Sequence, residues 1–288
     1  MEDPNKYFQR IDVCSFFAHE FEKRECPGEE FEILLRSARI TSLKDLRVVD
    51  LGCGAGFSSM KYIELGAKEV IGIDNSSPQI RLANERFRNV SGLSFICEDA
   101  VNVASLAGNA DAVIALGSLP YMRQINKIIS GTYSCLTAGG FFLCENIDPM
   151  DPTQILLRGA KELARLTDIP YLALFPLRYF PIARTPEQIR LIGTAAGFTA
   201  RKIQEAPLTL PREWFVEGHV FALRSAFGLE NGFPPLYADE FITLKEMNPD
   251  KALKKLNEVC EIHYTASEYR ASPMSQFIMR KPRKPRKI

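Results

Sequence analysis

Twelve residues near the start of the chain constrain its fold more than any other stretch. They read VVDLGCGAGFSS, from Val48 to Ser59: a short apolar run, an aspartate, and then glycines at alternate positions. Glycine lacks a Cβ, so a loop with Gly52, Gly54 and Gly56 can turn sharply and can lie directly against a ligand. A strand that enters a helix through such a loop is typical of ligand sites at the carboxyl edge of a parallel sheet.

Strand-like and helix-like patterns alternate around this loop. Helical spacing follows it at Phe57, Met60 and Ile63, and again at Ile80, Ala83 and Phe87. Short apolar runs predict seven strands, at 47–52, 69–74, 93–99, 110–116, 141–147, 200–207 and 275–281. Alternation of this kind implies right-handed crossovers. The predicted fold is therefore α/β, a doubly wound, seven-stranded and mostly parallel sheet with helical cap insertions.

Several residues predict where helices begin and end. Ser77 is placed to cap the helix after the second strand, with proline following at its first position. Thr185 and Gln188 have the spacing of a capping box. Isoleucines spaced over 125–136 predict a helix that the glycines at 139–140 would end.

The same patterns predict how the chain is divided. Two aromatic-rich segments interrupt the alternation, and they are long for structureless loops, so we expect each to form a helical cap. The expected segments are an N-terminal helical segment at 1–45, a cofactor-binding core at 46–147, a cap insertion at 148–184, a core helix and strand at 185–207, a second cap insertion at 208–274, a final core strand at 275–281 and a basic tail at 282–288.

The composition is that of an ordinary globular protein, and we expect a cytoplasmic location. No apolar run reaches the length of a membrane span, and the N-terminus MEDPNKYFQR does not resemble a signal peptide. No membrane partner is therefore expected. The seven cysteines are scattered without metal-binding spacing, which predicts reduced thiols. Asp148 and Asp151 lie close together without a third ligand, so no metal site is expected.

The charge is unevenly distributed. Six Lys or Arg residues lie between Arg280 and Lys287, and without these six, 30 basic residues stand against 35 acidic ones. The tail could contact a polyanion or could be a solvated end. An acidic body does not favour nucleic acid as a partner.

Other ligand classes fit the glycine loop less well. A P-loop requires a lysine that is absent here, which disfavours a nucleoside triphosphate. A dinucleotide loop would require a third glycine where Phe57 stands. In this chain the acidic residue Asp50 precedes the glycines.

With these residues in place, the chain resembles the Rossmann-like S-adenosylmethionine-dependent methyltransferases. VVDLGCGAGFSS is similar to the first motif of that family, and the likeness continues through GIDNS, CEDA and DAVIALGSLPYM, over about 46–147. It implies that S-adenosylmethionine is the cofactor. The residues that it implies for cofactor binding are Asp50, Gly52, Cys53, Gly54, Gly56, Asp74, Asn75, Asp99, Ala100 and Leu116.

The resemblance also implies roles for the acidic residues. Asp50 would lie near the cofactor's amino group, Asp74 would accept both ribose hydroxyls, and Asp99 would accept from the adenine amino group beside the N–H of Ala100. Taken singly, each of them could equally be a capping or turn residue. Together, at three successive strand ends, they favour the cofactor site.

The sequence does not single out a general base. Tyr121, Glu145, His219 and His263 are candidates, and each could instead be a structural residue. The segment SLPY at 118–121 matches two of the four positions of the [DN]-P-P-[YF] signature of methyltransferases that act on exocyclic base nitrogens.

The leading hypothesis is methyl transfer to a small-molecule acceptor, at nitrogen or oxygen. Aromatic-rich insertions suit an apolar pocket, which motivates this choice. RNA or protein methylation aided by the basic tail is the alternative, and a cofactor-binding module without catalysis is a third class. The sequence predicts neither the acceptor nor the oligomeric state.

Overall fold

The structure, a computed structural model, describes residues 8–23, 29–149, 152–174, 182–203, 208–209, 212–229, 246–265, 270–271 and 275–283. The chain divides into two compact units. The core unit comprises Asp3–Ile147, Pro181–Gln204 and Ser275–Ile288, and the insertion unit comprises Met1–Glu2, Asp148–Phe180 and Glu205–Met274.

The core unit contains one seven-stranded sheet. Its strands are β1 (Arg47–Leu51), β2 (Glu69–Asp74), β3 (Leu93–Cys97), β4 (Ala110–Ala115), β5 (Leu136–Asn146), β6 (Thr199–Lys202) and β9 (Ser275–Arg280). They lie in the order β3-β2-β1-β4-β5-β9-β6, and only β9 runs antiparallel to its neighbours. This confirms the predicted sheet, and it places the switch point of the strand order between β1 and β4.

Helices accompany these strands in the core unit. They are α1 (Ile11–Lys23), α2 (Glu29–Ser37), α3 (Phe57–Glu64), α4 (Ser77–Phe87), α5 (Val103–Leu106), α6 (Ile125–Cys135) and α8 (Pro186–Ala195). Alternate residues of β1 belong to two apolar clusters, Val49 and Leu51 to one and Val48 to the other. Burial of successive side chains in different clusters is what a doubly wound sheet requires.

The boundary between α6 and β5 differs from the prediction. The helix ends at Cys135, and Leu136 already pairs with Ala110 in the sheet. Gly139 and Gly140 therefore lie inside β5 and do not end a helix. A Cβ on Gly140 would lie 2.9 Å from the carbonyl oxygen of Asp111, so glycine here permits close approach of two strands.

The cap of α4 also differs from the prediction by one residue. Ser76, not Ser77, is the N-cap, and its hydroxyl accepts from the N–H of Gln79 at 3.4 Å. The capping box of α8 is present as predicted, with Thr185 and Gln188 bonded reciprocally.

The insertion unit is mainly helical and has its own apolar cluster. Its elements are α7 (Pro152–Thr167), a 3₁₀ turn (Tyr171–Leu174), β7 (Leu208–Thr209), α9 (Arg212–Ala226), α10 (Pro249–Thr265) and β8 (Arg270–Ala271). Leu163, Phe215, Leu223 and Leu256 are fully buried together. Among the residues described, no helix of either unit combines the length and apolarity needed to span a membrane.

The beginning of the basic tail belongs to the core unit. Arg280 is the last residue of β9, and the Lys281 ammonium donates to the carbonyls of Tyr133 and Leu136 at 2.8 and 2.7 Å. Two of the six basic residues are thus engaged within the core. Residues 284–288 of the predicted tail lie outside the described residues.

Candidate functional site

The glycines between β1 and α3 serve different purposes. Gly52, Gly54 and Gly56 all have positive φ, at 73°, 53° and 85°. A Cβ on Gly52 would lie 2.3 Å from the Cβ of Ser118, and one on Gly56 would lie 2.6 Å from the ring of Phe95. A Cβ on Gly54 would have only the Gln79 Oε1 atom nearby, at 4.0 Å. Gly52 and Gly56 are thus required by packing, and Gly54 offers bare backbone to open space.

This difference predicts different outcomes for two alanine variants. In both variants the left-handed backbone conformation of the alanine destabilises the folded protein by about 1–2 kcal/mol. In Gly52→Ala the collision with Ser118 adds to this penalty, so its melting temperature should fall well below that of Gly54→Ala. The Cβ of Gly54→Ala projects into the open space, so this variant should lose ligand affinity while it remains folded. Thermal unfolding and calorimetry measure the two effects, and equal melting temperatures would contradict the packing role of Gly52.

Asp74 connects the loops that follow β1 and β2; we call the loop after the carboxyl end of a strand its exit. Its Oδ2 accepts from the N–H of Gly54 at 3.0 Å, and its Oδ1 accepts from the N–H of Ser76 at 2.8 Å. Burial raises the pKa of this carboxyl, and the two N–H donors act in the opposite direction. An ionised carboxylate has about four acceptor positions, so each oxygen retains one for a ligand hydroxyl.

Asp50 lies inside the unit. Only 3% of its surface is exposed, and the Ser59 hydroxyl donates to its Oδ2 at 2.6 Å. The pKa of Asp50 is raised to about 7, mainly by burial; the bond from Ser59 acts to lower it, and the nearby charge of Asp74 adds to the rise. In this structure the carboxyl therefore joins β1 to α3, directly beneath the glycine loop.

The exit of β3 carries the third acidic residue. Asp99 caps a 3₁₀ turn that begins at Ala100, and its Oδ1 accepts from the N–H of Val101 at 2.9 Å. Asp99 is exposed, so a ligand can reach its carboxylate. Asn75, which follows β2, accepts at its carbonyl from the Gln9 side chain at 2.8 Å.

The exit of β4 contains a second open position. Gly117, next to Leu116, has a φ of +66°, and a Cβ there would meet no atom within 4 Å. Glu145 holds this residue, because its Oε2 accepts from the Gly117 N–H at 3.1 Å while its Oε1 accepts from the Gln276 Nε2 at 2.7 Å. Burial raises the pKa of Glu145. One oxygen holds the loop and the other bonds to β9, and each keeps an acceptor position, as in Asp74.

The residues SLPY form a short turn beside this position. The Ser118 hydroxyl donates to the carbonyl of Leu51 at 2.6 Å, so it closes the β1 and β4 exits together. Leu119–Tyr121 form a 3₁₀ turn. The tyrosine ring packs edge-on against Phe8, with ring centroids 5.8 Å apart.

The contact with Phe8 belongs to an N-terminal segment that sequence reasoning missed. The carbonyl of Phe8 accepts from the Ser76 hydroxyl, and the side chain of Gln9 bonds to the backbone of Asn75 and Ser77. These partners are 66 to 68 residues apart in sequence, and no local pattern signals the pairing. The segment therefore connects the exits of β2 and β4.

The two histidines proposed as bases lie in the insertion unit. His219 is fully buried, and its ring centroid lies 4.8 Å from that of Phe215. Burial lowers the pKa of His219 to about 4, so the ring is neutral at pH 7. His263 packs on the same phenyl ring, with centroids 5.7 Å apart. Their arrangement around Phe215 is that of aromatic packing partners.

Metal ligands and disulfides are absent from the part of the chain that the structure describes. No group of three or more His, Cys, Asp or Glu side chains is arranged there to hold a metal ion. The six cysteines in that part are free thiols, and five of them are buried.

Known proteins with similar sequences share one kind of domain. Residues 48–140 match the family model described as "Methyltransferase domain". A trans-aconitate 2-methyltransferase of Acidovorax sp. is 28% identical over 123 residues, which is 42% of this chain and 46% of that protein. A ribosomal protein L11 methyltransferase of Colwellia psychrerythraea is 51% identical over 51 residues, 17% of each chain. The chain thus spans less than half the length of these curated relatives.

A solved structure extends the likeness to the fold. The YcgJ protein of Bacillus subtilis superposes with a TM-score of 0.52 at 15% identity, over 87% of this chain and 97% of that one. At this identity the comparison concerns the fold alone. It agrees with the doubly wound sheet described above.

Proposed function

We propose that the chain transfers a methyl group from S-adenosylmethionine to a small-molecule acceptor, a proposal supported by the match of residues 48–140 to a methyltransferase domain. Nitrogen or oxygen is the proposed atom of attachment. One observation carries the proposal. The backbone at Gly54 and Gly117 borders open space, and the Asp74 carboxylate, which bonds to Gly54, still has acceptor positions for a ligand.

The residues present fit this cofactor chemically. S-adenosylmethionine has no phosphate and a single carboxylate, so it needs hydroxyl acceptors, carbonyls and a few N–H donors rather than a cluster of basic residues. Asp74 would hold the ribose, the exposed Asp99 with Ala100 would hold the adenine, and the backbone at Gly52 to Gly54 would lie along the methionine part. Leu116 and Gly117 would offer carbonyls to the ammonium group. Cys53, Gly56 and Asn75 would support these contacts as neighbours in the same loops.

The protein's contribution to the reaction would be mainly geometric. When bound, the cofactor supplies a methyl group already activated on a sulfonium. The chain has to align an acceptor with it and keep water away, and alignment of this kind contributes about 7–11 kcal/mol of barrier lowering. Of the four candidate bases, Tyr121 has the best position, because it lies at the β4 exit on the same turn as Ser118. It would take a proton only from an acceptor that arrives protonated.

Cofactor binding gives the direct test of the proposed function. S-adenosylmethionine and its product S-adenosylhomocysteine should each bind with one-to-one stoichiometry in calorimetry, and an acceptor panel should reveal release of the product. Binding of a nicotinamide dinucleotide in place of both compounds would contradict the proposal. Binding without turnover on any small acceptor would favour the RNA or protein alternative, or a module without catalysis.

A further inference from the structure

Arg184 is a buried cation at the exits of β4 and β5. Only 7% of its surface is exposed. Its backbone N–H donates to the carbonyl of Ile147 at 3.1 Å, and its carbonyl accepts from the Asn146 Nδ2 at 2.6 Å. The residue is therefore fixed to the end of β5, immediately before the Thr185 cap of α8.

The guanidinium group has only neutral partners. Its Nη2 donates to the carbonyl of Met122 at 2.7 Å, and its Nη1 donates to the carbonyls of Ile182 and Leu119 at 3.3 and 3.5 Å. No carboxylate within the described ranges forms an ion pair with it. Burial alone accounts for the lowered pKa of Arg184, so no nearby anion offsets the cost of the buried charge.

Buried charges in proteins are normally paired, because removing an ion from water is costly. A guanidinium has five N–H donors, and within the described residues the three carbonyls above leave some of them, including the Nε–H, without a protein partner. No nitrogen of Arg184 is both sealed from water and unpartnered, so these donors lie where water or a ligand can reach them. Donors in this planar arrangement match the two oxygens of a carboxylate. An oxyanion in place of water would therefore use the remaining donors of Arg184 and balance its charge.

Arg184 lies on the side of the sheet where we place the methyl acceptor. In the strand order, the exits of β3, β2 and β1 carry Asp99, Asp74 and the glycine loop, in that sequence. If these hold the adenine, ribose and methionine parts, the next exits along the sheet border the acceptor side. Arg184 is attached to both of them, through Met122 after β4 and Ile147 after β5.

We propose that Arg184 binds a carboxylate of the methyl acceptor, so that the acceptor is an organic acid. This inference rests on the proposed function and refines its substrate class. Arg184 would set specificity by orienting the acceptor and would take no part in proton transfer.

The experiment compares acids with their neutral amides. Protein saturated with S-adenosylhomocysteine is titrated with malonate or benzoate and, separately, with malonamide or benzamide. The binding of each probe is followed by calorimetry and by the NMR signal of the Arg184 Nε–H, which is assigned from its loss in Arg184→Lys. We expect the acids to bind and to shift this signal, and the amides to do neither. Arg184→Lys should weaken acid binding about 10-fold, because it keeps the charge and loses the bidentate arrangement.

Two controls separate the possible results. Arg201→Gln removes an exposed arginine that donates to the Ser37 carbonyl, and it should leave acid binding unchanged. Equal binding of acids and amides to the wild type, or unchanged acid binding in Arg184→Lys, would overturn the inference and leave Arg184 as a support of the 119–122 turn. Should S-adenosylhomocysteine itself fail to bind, the proposed function fails first, so the two failures are distinguishable.

Discussion

Replacing Asp74 with alanine is expected to weaken S-adenosylmethionine binding about 100-fold or more, because charge-assisted hydrogen bonds contribute about 1.5–3 kcal/mol each. The substitution removes the acceptor for the ribose hydroxyls. It also releases the N–H groups of Gly54 and Ser76, which the carboxylate now holds at 3.0 and 2.8 Å. The glycine loop would then lose both its ligand contact and its fixed position. Calorimetry at constant pH measures the loss.

Asp111 provides a matched control at the opposite edge of the sheet. Its carboxylate also accepts from a backbone N–H, that of Arg47 at 3.0 Å, and from the Thr137 hydroxyl at 3.1 Å. Asp111→Ala should therefore lower the free energy of unfolding but leave cofactor affinity unchanged. If Asp74→Ala also bound the cofactor normally, the assignment of Asp74 to the ribose would be wrong.

Much of the core unit follows from local sequence. Strands such as β1 and β2 are short and apolar, and Gly52 follows the first while Asp74 ends the second, so the number of strands and their order along the chain could be predicted. The acidic residues at 50, 74 and 99 could be placed at one edge, because parallel strands bring their carboxyl ends together. The glycines could be recognised as a loop. The packing reason for Gly52 and Gly56 could not, since Ser118 and Phe95 are distant in sequence.

The features that escaped prediction depend on long-range contacts. Phe8 and Gln9 reach the β2 exit across 66 or more residues, and Arg184 reaches Met122 across 62. No periodicity encodes such pairs. The start of β5 at Leu136 was mispredicted for a related reason: the pairing with Ala110 and with the chain at Lys281 overrides the apparent helix end at two glycines. Local propensity yields to tertiary pairing at these positions.

Asp50→Asn is expected to change how the stability of the protein depends on pH. The folded pKa of Asp50 is about 7, against an ordinary value of 3.8. Between these values the folded chain holds a proton that the unfolded chain has released, so stability falls as pH rises through this window. A shift of about three units corresponds to about 4 kcal/mol. Asparagine has no proton to lose, and its amide oxygen can still accept from Ser59.

The measurement is the free energy of unfolding in urea, at several pH values from 4 to 8, for both proteins. The free energy of unfolding of Asp50→Asn should rise relative to that of the wild type as pH rises, and the difference between the two should level off above pH 7. Asp74, whose pKa is also raised by burial, is present in both proteins and interacts with Asp50, so the comparison measures the titration of the pair. Parallel stability curves would mean that the folded pKa of Asp50 lies near its ordinary value of 3.8, so that the carboxyl is ionised over most of this pH range. In that event its carboxylate would have to face water or a cation at the glycine loop, and not lie sealed against Ser59.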